Sequence, residues 1–151
     1  LAMTISVAFG HITGALPDGR KAGVPLAEGG ISPYQGRNTS GVSSTLASVA
    51  ALDQTRLSHG SILNLRISKK AVESERNLEK LADALRIFCE TGGDLVQFNF
   101  VDTNTLQDAQ QHPERYRDLL VRVATYSAYF VELSRELQDD IIARFEFSDI
   151  G

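Results

Sequence analysis

Leu119-Leu120-Val121-Arg122-Val123-Ala124-Thr125-Tyr126-Ser127-Ala128-Tyr129-Phe130 is the stretch around which the chain is organised. It opens as a Leu- and Val-rich segment with a single charge, Arg122. It narrows to small and hydroxyl-bearing residues at Ala124, Thr125 and Ser127, then resumes as an aromatic run. An apolar segment of this kind reads as a buried strand delivering a tight loop into an interior. A core strand followed by an ordinary loop has the same pattern, so the pattern alone leaves both open.

Working outward, residues 94–101 form another buried-looking strand, and residues 61–67 a third with Asn64 inside it. Residues 4–9, short, β-branched and aromatic, read as a strand as well. Between them the spacing predicts a helix over 72–91. Leu78, Leu81, Ala82, Leu85, Phe88 and Cys89 lie on its apolar face, and Gly92-Gly93 closes it. A shorter helix is expected over 43–52, with Ser43 or Ser44 as N-cap and Leu46, Val49 and Leu52 on one side. Helical pieces follow at 103–111 and 113–117, where Pro113 suits a first turn. Ser134, with Leu137, Ile141 and Ile142 behind it, starts a last helix before an extended piece at 144–147. Alternating strands and helices imply an α/β fold with parallel strands joined by helical crossovers.

Residues 14–41 differ from all this. Pro17, Pro25 and Pro33, with glycines throughout, leave no room for an element interior, and Pro17-Asp18-Gly19 is a turn with a mechanism. So long a loop points to a function or to a partner surface.

At 151 residues, 42% hydrophobic and 23% charged, the chain suits one globular domain with a real core. The net charge of −4 argues against a nucleic-acid or anionic-membrane footprint. No apolar run is long enough to span a bilayer, and the first residues do not read as a signal peptide. A lone cysteine excludes a disulfide framework and fits a reducing, cytoplasmic setting. A strand beginning at the first residues suggests a chain cut from something longer. His11, His59 and His112 lack metal-ligand spacing, no Gly-x-Ser-x-Gly elbow is present, and Gly29-Gly30 is too short to cradle phosphate. Cys89 reads as a small core residue, and Asp139-Asp140 as a solvated face.

The letters from Arg122 to Phe130, Arg-Val-Ala-x-Tyr-Ser-Ala-Tyr-Phe, with Gln138 and Arg144 beyond, resemble the C-terminal radical loop of the glycyl radical enzymes. Pro17-Asp18-Gly19-Arg20-Lys21-Ala22-Gly23-x-Pro25-Leu26-Ala27 and Gly30-x-Ser32-Pro33 resemble a loop that these enzymes thread over the barrel near its active-site end. The resemblance runs from about Ser6 to Arg144, and its wording is closer to the dehydratase and lyase branches than to pyruvate formate-lyase. It implies that residues 1–151 are a single glycine radical domain, the C-terminal part of a ten-stranded α/β barrel, with residues 119–130 inserted toward the barrel centre. It implies activation by a radical S-adenosylmethionine iron–sulfur enzyme, with no cofactor bound to the chain itself. It also implies a missing N-terminal barrel part carrying the catalytic cysteine, a small-molecule substrate, and a homodimer at full length.

The family's radical glycine falls on Thr125. With Thr125, the resemblance marks as catalytic positions Tyr126 and Ser127, which follow it in the loop, and Arg144, nineteen after it, where relatives carry an arginine directed at the active site or anchoring the loop. It marks Arg122, three residues before Thr125, as a supporting contact of the loop. Gln97 and Asn99 match the strand beside the loop and could bond its backbone. Their plain structural reading is strand-edge hydrogen bonding, and that of Arg144 a surface ion pair. A backbone radical is planar at Cα, and planarity is free of steric cost only without a Cβ. The β-branch of threonine crowds that plane and stiffens it. Thr125 is therefore expected not to hold the radical, because the family's glycine was replaced or because a relative has kept the scaffold and lost the chemistry. A shifted register with the radical elsewhere is the third reading, opposed by the lack of glycine between Gly93 and Gly151. The alternative in function is a non-catalytic docking or spare-part-like module that meets an activating enzyme or a partner glycyl radical enzyme.

Overall fold

The structure is a computed structural model that describes residues 5–58 and 60–150. Three strands form a parallel sheet in the order β2 (Val96–Phe100), β1 (Leu63–Ile67), β5 (Glu146–Phe147). Helix α3 (Glu75–Glu90) makes the crossover from β1 to β2. The return to β5 passes through α4 (Thr103–Gln111), an antiparallel hairpin of β3 (Leu120–Arg122) and β4 (Ser127–Tyr129), and α5 (Arg135–Ala143). The expected α/β architecture with parallel strands is present.

Register explains the sheet's two unlike faces. Because side chains alternate, paired residues share a face: Asn64 with Gln97, Arg66 with Asn99 and Glu146 on one, Leu63 with Val96, Leu65 with Phe98, Ile67 with Phe147 on the other. The apolar face packs against α3 and α2 (Val42–Ala50), burying Leu46, Val49, Leu81 and Phe88. A second core lies between α4, α5 and the hairpin, around Leu106, Val121, Val123, Phe130 and Ile141. The polar sheet face is turned to that half of the molecule. Arg66, 4% exposed, bridges the two, donating to the Ile141, Ile142 and Arg144 carbonyls. It thereby satisfies the end of α5 with a cation where the helix dipole favours one.

Several expectations need correction. Of residues 4–9, Thr4 lies outside the described residues, and Ser6–Ile12 is a helix, α1, rather than a strand. Among the described residues no strand lies beside it to complete a ladder. Its Ser6 carbonyl accepts from Leu26 N–H at 3.0 Å, and a Cβ on Gly10 would come within 2.4 Å of the Val24 carbonyl, so α1 is fitted to the loop. Helix α2 begins at Val42 after Gly41, without a serine cap, and Leu52 lies beyond its end, 55% exposed. Helix α3 starts at Glu75 because Ser74 accepts the Asn77 N–H at 3.2 Å; a separate short 3₁₀ turn, Lys69–Val72, precedes it. Leu78 and Cys89 are exposed rather than core. Helix α3 ends as expected at the glycine pair: Gly92, at φ +105°, donates to Cys89 and Gly93 to Phe88, the paired bonds of a Schellman cap.

Residues 14–41 contain no helix or strand. Their order comes from Arg20, 1% exposed, which donates to the carbonyls of Val24 (2.5 Å), Thr13 (3.0 Å) and Gly14. Further on, Ser32 accepts the Asn64 N–H at 2.9 Å, docking the loop on β1.

Candidate active site

The stretch 119–130, expected as one strand and a loop, is a hairpin. Leu120 pairs with Tyr129, Val121 with Ala128 and Arg122 with Ser127, and Val123 N–H donates to the Tyr126 carbonyl at 2.9 Å. Ala124 and Thr125 form its tip. Val123 and Ala124 are each 1% exposed, Thr125 is half-buried, and Tyr126 and Ser127 face outward. Among the described residues none but glycine has a positive φ, so Thr125 occupies the tip without left-handed backbone strain.

The backbone leading into the tip is held by side chains from two elements. Asn99 on β2 donates to the Arg122 carbonyl at 2.7 Å and accepts the Arg122 N–H at 2.6 Å. Arg144, just past α5, donates to the Val123 carbonyl at 2.6 Å. The Arg122 side chain folds back over the turn. Its Nε donates to Gln97 Oε1 at 2.6 Å, one terminal nitrogen to Ser127 Oγ at 3.2 Å and the other to the Thr125 carbonyl at 3.0 Å. Gln97, Asn99, Arg122, Ser127, Thr125 and Arg144 are thus brought together. Tyr126 stands apart from this network, 43% exposed.

Arg144 is not a surface ion pair: it is 6% exposed. Its Nη2 donates to Asp140 Oδ2 at 2.8 Å and its Nε to the same oxygen at 3.3 Å, while Asp140 Oδ1 accepts from Gln35 Nε2 at 2.8 Å. Asp140, expected on a solvated face, is 5% exposed, because α5 turns this residue toward the polar side of the sheet. Glu28 from the loop lies 4.0 Å from Arg144 Nε. Burial pushes the Glu28 carboxyl above its ordinary value, with Arg144 opposing. Burial draws Arg66 below its usual value, opposed chiefly by Glu146 at 3.9 Å. A polar cavity of about 20 Å³ lies among Glu28, Asn64, Asn99 and Arg144.

Sequence reasoning missed Gln35, Glu28 and Asp140. For Asp140 a signal existed, since it stands at i, i+4 to Arg144; Glu28 and Gln35 carry none, being placed by a loop. No group of three His, Cys, Asp or Glu positioned to hold a metal occurs among the described residues; His59 lies outside them. Nor is any helix there long and apolar enough to cross a membrane. Chemically the assembly clamps main chain. It offers neither a nucleophile with a base nor a metal centre, and Cys89 sits on α3, which packs in the other core.

The family model described as Glycine radical matches residues 27–131, a span that includes the later part of the loop, both long strands and the hairpin. Trans-4-hydroxy-L-proline dehydratase of Clostridioides difficile is 42% identical over 146 residues, covering 97% of this chain and 18% of the relative. The probable dehydratase YbiW of Escherichia coli is 45% identical over 146 residues, covering 96% and 18%. Among solved structures, the glycerol-bound B12-independent glycerol dehydratase from Clostridium butyricum superposes with a TM-score of 0.90 at 44% identity, over 95% of this chain and 18% of that one. The chain therefore spans under a fifth of the length of these relatives. With the family model covering most of its length, the chain belongs to the glycyl radical enzyme family, on its dehydratase and lyase branch.

Proposed function

We propose that this chain is the C-terminal radical domain of a glycyl radical lyase or dehydratase, with the 123–126 turn in the radical position and Thr125 where the radical glycine stands. In this reading residues 1–151 form one domain of a ten-stranded barrel, the polar face of the sheet looks into its lumen, and the hairpin enters there. The observation that carries it is the main-chain clamp. Asn99 and Arg144 fix the peptide groups of Arg122 and Val123, and Arg122 reaches the Thr125 carbonyl. An unpaired electron on a Cα is shared with the peptide groups on either side, so it needs held planes rather than a held side chain.

Thr125 does not fit that electron. Its Cβ crowds the planar centre, and its β-branch restricts the rotamer at a half-buried position. No step is assigned to Thr125, Tyr126 or Ser127 as reactive groups; Arg122, Arg144, Gln97 and Asn99 hold the turn. A glycine-bearing parent would be oxidised by a radical S-adenosylmethionine enzyme and would pass the radical to a cysteine outside this chain. Its substrate would be a small molecule, its setting the cytoplasm and its full-length form a homodimer.

Thr125 itself favours a second reading: a module that docks on an activating enzyme or a partner glycyl radical enzyme without carrying a radical. Anaerobic incubation with a dehydratase-activating enzyme, read by electron paramagnetic resonance, separates the cases. Thr125→Gly is expected to give a doublet from the remaining Hα, and the unsubstituted chain no signal. A doublet from the unsubstituted chain would overturn the account of Thr125, and silence from Thr125→Gly would overturn the radical-domain reading. The docking reading adds that the unsubstituted chain slows activation of a glycine-bearing dehydratase by competing for its activator.

A further inference from the structure

We propose that Asp140 is a positioning residue for the hairpin tip, acting through Arg144 and itself held by Gln35, so that the Gly/Pro-rich loop sets how firmly the turn at 125 is seated. This rests on the reading of the turn as the radical position only for its catalytic meaning; the mechanical link stands on geometry.

Asp140 makes no hydrogen bond to the hairpin, yet both of its oxygens are used. Oδ2 accepts two bonds from Arg144 and Oδ1 one from Gln35. Arg144 lies one residue past α5 with extended backbone, so the helix does not dictate where its guanidinium points. The carboxylate one turn back does. Aimed by it, Arg144 reaches the Val123 carbonyl at 2.6 Å, the last carbonyl before the tip. Asn99 holds Arg122 on the other flank and makes no bond to Val123, whereas Arg144 bonds the Val123 carbonyl and only reaches the Arg122 carbonyl at 3.5 Å, so the hold on Val123 is Arg144's. Glu28 is the other carboxyl near Arg144, at 4.0 Å, beyond hydrogen-bond reach. The direction of Arg144 therefore rests on Asp140. Gln35 brings in residues 105 positions away, from the segment that also docks Ser32 on β1.

The test is amide hydrogen exchange on the full chain, comparing Asp140→Ala, Asp140→Glu and Gln35→Ala with the unsubstituted protein. Asp140→Ala is expected to speed exchange at the Arg122 and Val123 amides by about tenfold or more, with α3 amides unchanged. Asp140→Glu keeps a carboxylate in reach and should restore most of the protection. Gln35→Ala, at a loop position and gentler on folding, should produce a smaller acceleration confined to the same amides. Unchanged protection at Arg122 and Val123 in a folded variant would overturn the proposal. So would equal acceleration everywhere, which would make Asp140 a general stabiliser. If Asp140→Ala does not fold, Gln35→Ala decides alone by the same criterion. A second arm adds each change to Thr125→Gly and measures the doublet. If Thr125→Gly alone gives none, the radical-domain reading has failed while the exchange arm still judges the link. If it gives a doublet that Asp140→Ala leaves at full yield, the positioning role has failed.

Discussion

Two side chains show how much a single position carries here. Thr125 fits the fold, at an ordinary φ on a clamped turn, and in the proposed reading fails only the radical chemistry expected at that position. Glu28 is the converse, a carboxyl whose chemistry is altered by the fold. Burial raises its pKa above the free value of 4.5, against the pull of Arg144. The folded chain then keeps a proton that the unfolded chain has released. This contribution to stability is complete below about pH 4.5 and is lost as pH rises through the folded value. Glu28→Gln removes the titration. Measured by urea midpoint between about pH 5 and pH 8, the variant should lose the decline that Glu28 imposes and gain most over the parent at the alkaline end. An equal slope in parent and variant would show that Glu28 ionises as it does unfolded. Asp108 acts in a separate range. Its pKa is lowered by hydrogen bonds from Tyr116 (2.5 Å) and His112 (2.9 Å), so its contribution fades only as pH falls below the usual aspartate value of 3.8.

Among the elements, α3 depends most visibly on a local signal. Ser74 accepts the Asn77 N–H at 3.2 Å and stops the helix running back into the 3₁₀ turn. Ser74→Ala should cost about 1 kcal/mol, seen as a lower thermal midpoint by about 2–4 °C; an unchanged midpoint would mean that the preceding turn, not the cap, sets the boundary. Signals of this kind were legible in advance. Ser134 caps α5, Gly92 and Gly93 close α3, Pro113 opens its short turn, and Asn99 bonds loop backbone as its place in the strand suggested. What escaped depends on neighbours distant in the chain. The Ile5–Phe9 letters suit a strand, but Ser6–Ile12 folds as a helix because a loop packs there and no strand among the described residues is at hand to pair with it. Val121 and Val123 announced a buried strand, yet nothing local showed that Tyr126–Tyr129 would turn back on it, since the tip contains no glycine. Cys89 lay at helical spacing from Leu81 and Leu85, but it stands one position past Phe88, off the stripe that the sheet buries. Asp140 looked solvated although Arg144 stands at i, i+4 to it, because its second partner, Gln35, is brought to it from 105 positions away by the fold.

At the scale of the molecule, the sheet is small, parallel and open. Strand β2 pairs with β1 on one side, and among the described residues no strand pairs with its other side. Parallel sheets are ordinarily covered, and an unpaired edge presents a row of main-chain donors and acceptors to any other strand. The edge here is also apolar: Phe98 and Phe100 stack with centroids 5.7 Å apart, Phe100 is 42% exposed and Leu95 40% exposed. Since the chain spans only 18% of its relatives' length, a longer chain has ample material to cover such an edge. On its own this chain is expected to self-associate along β2. Sedimentation velocity over a concentration series should show growing species, and Phe100→Lys, which places a charge on the edge, should suppress them. Leu78→Lys is the control for apolar surface as such, because Leu78 is 51% exposed on α3, a helix with no main-chain edge to pair. It should leave association unchanged. A chain that stays monomeric throughout, or one that Leu78→Lys disperses as well as Phe100→Lys, would show that general apolar exposure, or nothing, drives association, and that the open edge of β2 is sufficiently protected by its own twist and by the hairpin that Asn99 tethers beside it.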